Sequence, residues 1–186
     1  MQFPRKPALL KSGLLLVMVA LHGFVVAPVS SYAGSWTIFK DSDEQVEFMS
    51  LGIPEKSRLE DEETTTIVWA FESIEDETNG YVDATRLKEG SFAAFDVISQ
   101  AADLRAGVEK SGNTEVIDQR TPNFSGAPAV ELWTKTQSPQ GNSWFGVIRM
   151  FVVGDTLYTL GLNAPTISQL EQDEAQEFLS SLNPPK

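Results

Sequence analysis

Two β-forming runs, residues 144–153 (WFGVIRMFVV) and 156–162 (TLYTLGL), are separated only by Gly154 and Asp155. A two-residue connection cannot carry a crossover, so the runs must pair antiparallel, and glycine at the first loop position suits a type II′ turn. This long hairpin makes an antiparallel sheet the organising element of the chain. Further strands are expected at 36–39, 46–51, 64–72, 81–87, 114–120 and 129–136, whereas the polar residues 56–63 read as a loop. In 64–72, Ile67, Trp69 and Phe71 share one face and Val68 and Ala70 the other, the pattern of a strand near the middle of a sheet.

Two helices complete the pattern. One starts at Gly90 and Ser91 and carries Ala94, Val97, Ala101, Leu104 and Val108 at helical spacing. The other has Ser168 as N-cap and Glu171 at N3, a stripe of Leu170, Ala175, Phe178 and Leu182, and a stop at Pro184 and Pro185. The order ββββ-α-ββββ-α predicts an α+β fold, an antiparallel β-sheet flanked by helices in an α/β/α sandwich.

The first 33 residues stand apart. Arg5, Lys6 and Lys11 precede an apolar run, 14–27, and Ser31, Tyr32 and Ala33 resemble a cleavage site, the layout of an export signal. The run is shorter than the roughly 20 residues of a spanning helix, so a cleaved signal and one domain, 34–186, are expected. That predicts an exported, soluble protein of the periplasm, or of the thylakoid lumen in a photosynthetic host, with no stable membrane insertion.

Three of the 14 bases and none of the 26 acids lie in residues 1–33, so the remainder carries 11 bases against 26 acids, a formal charge of −15. Such a field opposes nucleic acid and anionic lipid and favours basic proteins or cations. The chain has no cysteine, and its one histidine, His22, lies in the signal. Ser-His-Asp and Cys-His nucleophiles, His-ligated zinc and histidine acid–base catalysis are thereby excluded from the mature domain. No catalytic residue and no cofactor are expected.

Four candidate features remain. Glu60, Asp61, Glu62 and Glu63 precede the strand 64–72, and Glu75, Asp76 and Glu77 follow it. A strand of that length holds the clusters on the order of 30 Å apart, too far to share one ion, so each is at most a weak calcium or manganese site. The alternative is a pair of charged flanks that guard an apolar strand against intermolecular pairing. Asp41, Asp43 and Gln45 begin like a calcium loop, but Val46 and Gly52 stand where such a loop needs Gly and Glu. Arg149 interrupts an apolar strand, either as an anion clamp or as a packed stem whose head pairs with Glu131 on the neighbouring hairpin. Trp144, beside a turn, is the aromatic expected to be part-exposed at an interface.

Three groups of residues resemble one family. They are Trp36-x-x-Phe39 with Phe48 and Pro54; Gly126-x-Pro128-Ala129-x-Glu131 with Arg149-x-Phe151-Val152-Val153-Gly154-Asp155-x-Leu157-Tyr158-x-Leu160; and the final Phe178-Leu179-Ser180-Ser181-Leu182. Together they are similar to the PsbP-like family of extrinsic lumenal photosystem II subunits and related exported bacterial proteins, across nearly all of 34–186. The resemblance implies an antiparallel sheet sandwiched by helices and a non-enzymatic role in assembling or stabilising a larger complex through protein–protein binding. The family's plant members dock through basic residues, whereas this chain is acidic.

Overall fold

A computed structural model of the chain describes residues 35–73, 75, 77–110, 113–124, 126–137 and 141–185. The expected signal, 1–33, lies outside the described residues. The strands are β1 Trp36–Asp41, β2 Val46–Leu51, β3 Glu55–Glu60, β4 Thr64–Ser73, β5 Thr78–Leu87, β6 Thr114–Arg120, β7 Asn123–Phe124, β8 Ala127–Gln137, β9 Ser143–Val153 and β10 Thr156–Ala164. The helices are α1 Ala101–Glu109, α2 Ile167–Leu170 and α3 Asp173–Ser181.

β9 and β10 form the expected hairpin. Val153 pairs with Thr156, leaving two loop residues. Gly154 takes a φ of +62° while Asp155 is not left-handed, as a type II′ turn requires. The main sheet has the order β3-β4-β5-β10-β9-β8-β6 with every pairing antiparallel, and β7 adds a short rung on β8. β1 and β2 form a separate hairpin.

Alternation divides the apolar residues between two faces. On the first, Ile67, Trp69, Phe71, Trp133, Val147, Phe151, Tyr158 and Leu160 pack with Phe48 and Leu51 of β2 and Phe178 and Leu179 of α3. On the second, Val130, Leu132, Ile148, Met150 and Leu157 meet Phe92 and Val97 and the stripe Ala101, Leu104 and Val108 of α1. Trp69 and Val68 are both buried although they face opposite ways, consistent with an inner strand covered on both sides.

The molecule is a β-dominated α+β protein, and its helical layers are thinner than an α/β/α sandwich implies: one face carries a hairpin and two short helices, the other one nine-residue helix. Three local expectations are corrected. Residues 56–63 are not simply a loop: Glu55–Glu60 is the edge strand β3, with all six residues exposed, held by its ladder to β4. Its charges blunt an otherwise open edge.

The helix expected from residue 91 begins only at Ala101. Ser91 Oγ accepts from Ala93 N at 3.0 Å to cap a 3₁₀ turn, Phe92–Ala94, and Asp96 Oδ1 accepts from Ile98 N at 3.0 Å. These local bonds compete with helical ones and split the segment. At the C-terminus the cap is Thr166, not Ser168: Gln169 Oε1 accepts from Thr166 N at 3.1 Å and from its hydroxyl at 2.7 Å. Extended Gln172 then separates α2 from α3.

Candidate functional site

Arg149 and Glu131 are direct partners in the β8–β9 register. Strand alternation turns both onto the first face, where their side chains are 9 % and 3 % exposed. Arg149 Nε donates to Glu131 Oε2 at 2.9 Å and Nη2 to the same oxygen at 2.5 Å. Its Nη1 donates to the Leu179 carbonyl at 2.8 Å, near the C-terminal end of α3, where a cation suits the helix dipole. Glu131 Oε1 accepts from Trp133 Nε1 at 2.7 Å, and the Arg120 guanidinium lies 4.7 Å from the Trp133 ring centre. Arg149 is thus committed to joining sheet and helix.

Asp41 has a comparable internal task. Its Oδ2 accepts from Trp69 Nε1 at 2.9 Å and from Lys56 Nζ at 2.8 Å, while Oδ1 caps the amides of Asp43 and Glu44. Burial opposes the charge, but Lys56, Trp69 and the Glu44 amide together outweigh it and hold the carboxyl at about 2. Glu44 continues the network to Arg86 at 3.0 Å. The segment that begins like a calcium loop is a clasp between the β1–β2 turn and the main sheet.

The acidic flanks stand at opposite ends of the ten-residue β4. In the first, Glu60 is ion-paired to Arg58 at 2.6 Å, and Asp61 Oδ1 accepts from the Glu63 and Thr64 amides, each at 2.7 Å. Glu62 and Glu63 are exposed. In the second, Glu75 and Glu77 are exposed in the β4–β5 turn and Asp76 lies outside the described residues. Among the described residues no group of three or more His, Cys, Asp or Glu is arranged to hold a metal ion. Trp144 is half-buried at the start of β9, opposite Thr136.

Two features were not anticipated. One is a pocket of about 260 Å³ between the start of β1, the end of β10 and the helices α2 and α3. Leu51, Leu162, Ala164, Leu170 and Ala175 give it a buried apolar floor beside half-buried Trp36, while Gln172 and Glu174 stand exposed at its mouth. Its parts come from distant segments, so no local motif announces it. The other is Asp83, 4 % exposed in β5, with Tyr81 on the same face. A sequence signal for it exists: an acid in a strand whose immediate neighbours, Val82 and Ala84, are apolar.

The fold is β-dominated α+β and PsbP-like. Over 87 % of this chain and 99 % of its own length, the solution structure of cyanobacterial PsbP from Synechocystis sp. PCC 6803 superposes with a TM-score of 0.57 at 10 % identity. A Pseudomonas aeruginosa protein of unknown function, described as a putative regulator, matches at a TM-score of 0.48 and 12 % identity over 82 % of this chain and 99 % of its own. A Bacteroides thetaiotaomicron protein matches at 0.46 and 10 % identity over 80 % and 48 %. No family model and no curated protein matches the sequence.

Proposed function

We propose that this is an exported, non-enzymatic accessory or assembly protein of the periplasm or thylakoid lumen that acts by binding another protein. The observation that carries the reading is the PsbP-like fold matched over nearly the whole domain. The absence of His and Cys from 34–186 supports it by removing the commonest nucleophiles and bases. The pocket beside Trp36 is the docking point: its apolar floor accepts a side chain, and Glu174 at its mouth favours a segment that carries a positive charge.

The test is affinity capture with the full-length chain in extract of the source organism, comparing wild type with Glu174→Lys at the mouth and Glu115→Lys on exposed β6. A partner lost with the first variant and kept with the second supports the reading. Recovery of no specific partner at low salt, or equal recovery with both variants, sinks it. A weak affinity of the exposed carboxylates for calcium or manganese is the second reading, supported by the −15 charge of 34–186 and addressed by calorimetry with each ion.

A further inference from the structure

Strand β5 carries an acid where the sheet admits almost no water. Asp83 is 4 % exposed and lies in register with Val68 of β4 on one side and Thr159 of β10 on the other. Its Oδ1 has no hydrogen-bond partner among the described residues, and the same holds for Thr159 Oγ1 and for the hydroxyl of Tyr81, two residues along on the same face. Tyr81 is itself buried, its ring lying over Gly161.

Among the described residues no cation offsets this carboxyl, and the charged groups of the segment and helix that cover this face, Asp96, Asp103, Arg105, Glu109 and Lys110, are exposed. The strands packed against β5 are β4 and β10. On the face that Asp83 shares, β4 presents Thr66, Val68 and Ala70, and β10 presents Leu157, Thr159 and Gly161, none of them charged. Arg86, the base on β5, falls on the opposite face by alternation and pairs there with Glu44 at 3.0 Å. Tyr81 is the titratable neighbour. Burial first, and then the Asp83 charge, push its phenol far up, so it stays neutral. A carboxylate with no ion-pair partner in such a place carries a large desolvation penalty, which a bound proton removes.

We infer that Asp83 is a proton-binding site created by folding: its carboxyl is neutral in the native sheet and holds one proton that the unfolded chain releases to solvent. The ligand is the proton, and the consequence is a fold tightened by mild acid and loosened as the medium becomes neutral or alkaline. Burial raises the carboxyl to about 7, and the neighbouring Thr159 opposes that rise without cancelling it. The sign follows from linkage. Below about pH 4 both states are protonated and the group contributes nothing. Between about 4 and about 7 only the native state holds the proton, so each pH unit weakens folding about tenfold through this group. Above that range both states are ionised and the penalty is constant.

The experiment is urea unfolding of the full-length chain from about pH 4 to about pH 8, beside Asp83→Asn, which keeps the shape of the neutral acid. The folding constant of the variant relative to wild type is expected to rise about tenfold per pH unit up to about 7 and then level off. A ratio independent of pH overturns the inference. Should the variant not fold, proton exchange on refolding of the wild-type chain near about pH 5.5 decides it. Uptake of close to one proton supports the site, whereas no uptake, or release, overturns it.

Discussion

Arg149 and Glu131 form an ion pair at a depth where a lone charge would carry a large desolvation penalty. Removing one partner from such a pair costs about 3–5 kcal/mol, because the survivor keeps its desolvation penalty and loses its compensation. Arg149→Met is therefore expected to destabilise by about that amount in urea unfolding, also freeing the Leu179 carbonyl. Adding Glu131→Leu should recover part of the loss, since the stranded carboxylate is then gone. A double variant as unstable as the sum of the singles would refute the coupling. The pairing was legible in the sequence because both residues lie on strands joined through one short turn. The bond to Leu179 was not, because it depends on where α3 docks, which no spacing in β9 encodes. Asp41 makes the complementary case in acid. Its carboxyl is held at about 2, so its contribution is present above the ordinary carboxylate range and is lost as pH falls from about 4 towards 2. Acid unfolding of Asp41→Asn should lack that component, and an unchanged acid limb would refute the clasp.

At the scale of elements, α3 is only nine residues long and lacks a side-chain N-cap bond, so packing must hold it. Phe178 is fully buried, its ring 5.5 Å from Trp36 and 5.3 Å from Phe71 between centroids. Phe178→Ala should cost about 3–5 kcal/mol and release Trp36, seen as a loss of near-ultraviolet circular dichroism. A loss below about 1 kcal/mol would mean that α3 is held mainly by Arg149 and by Met49 N donating to Ser181 Oγ at 2.8 Å. The long strands β4, β5, β8, β9 and β10 were legible because their apolar alternation is also their packing. β3 was not: its six residues are all exposed, so its strand character comes from β4's unpaired edge rather than from its own side chains. The late start of α1 has a different reason. Ala94 and Val97 continue the helical spacing, but Ser91 and Asp96 spend their oxygens on nearby amides and interrupt the helix, a competition that periodicity does not register.

For the whole molecule, charge acts differently from the way it acts at any single site. Lys40, Lys56, Arg58, Arg86, Arg105, Arg120 and Arg149 each already face a carboxylate. Few bases are left to offset the remaining acids, among them exposed Glu62, Glu75, Glu77, Asp173 and Glu174. The sequence showed this imbalance in full, while the pocket, assembled from β1, β2, β5, β10, α2 and α3, and the lack of an ion-pair partner for Asp83 became visible only when strands were set in register. Self-repulsion among surface acids acts over the screening length, about 30 Å in 0.01 M salt and near 3 Å at 1 M. Exposed ion pairs weaken over the same range, but each contributes only about 0–1 kcal/mol. Net repulsion should therefore prevail, and the melting temperature of the full-length chain should rise as sodium chloride is raised from about 0.01 M to about 0.5 M. A fall would show that the local pairs dominate instead. Calcium or manganese at matched ionic strength separates the two uses of the acids. A rise no larger than that with sodium chloride assigns them to charged flanks and solubility, whereas an additional rise, saturating with ion concentration, assigns at least one flank of β4 to cation binding.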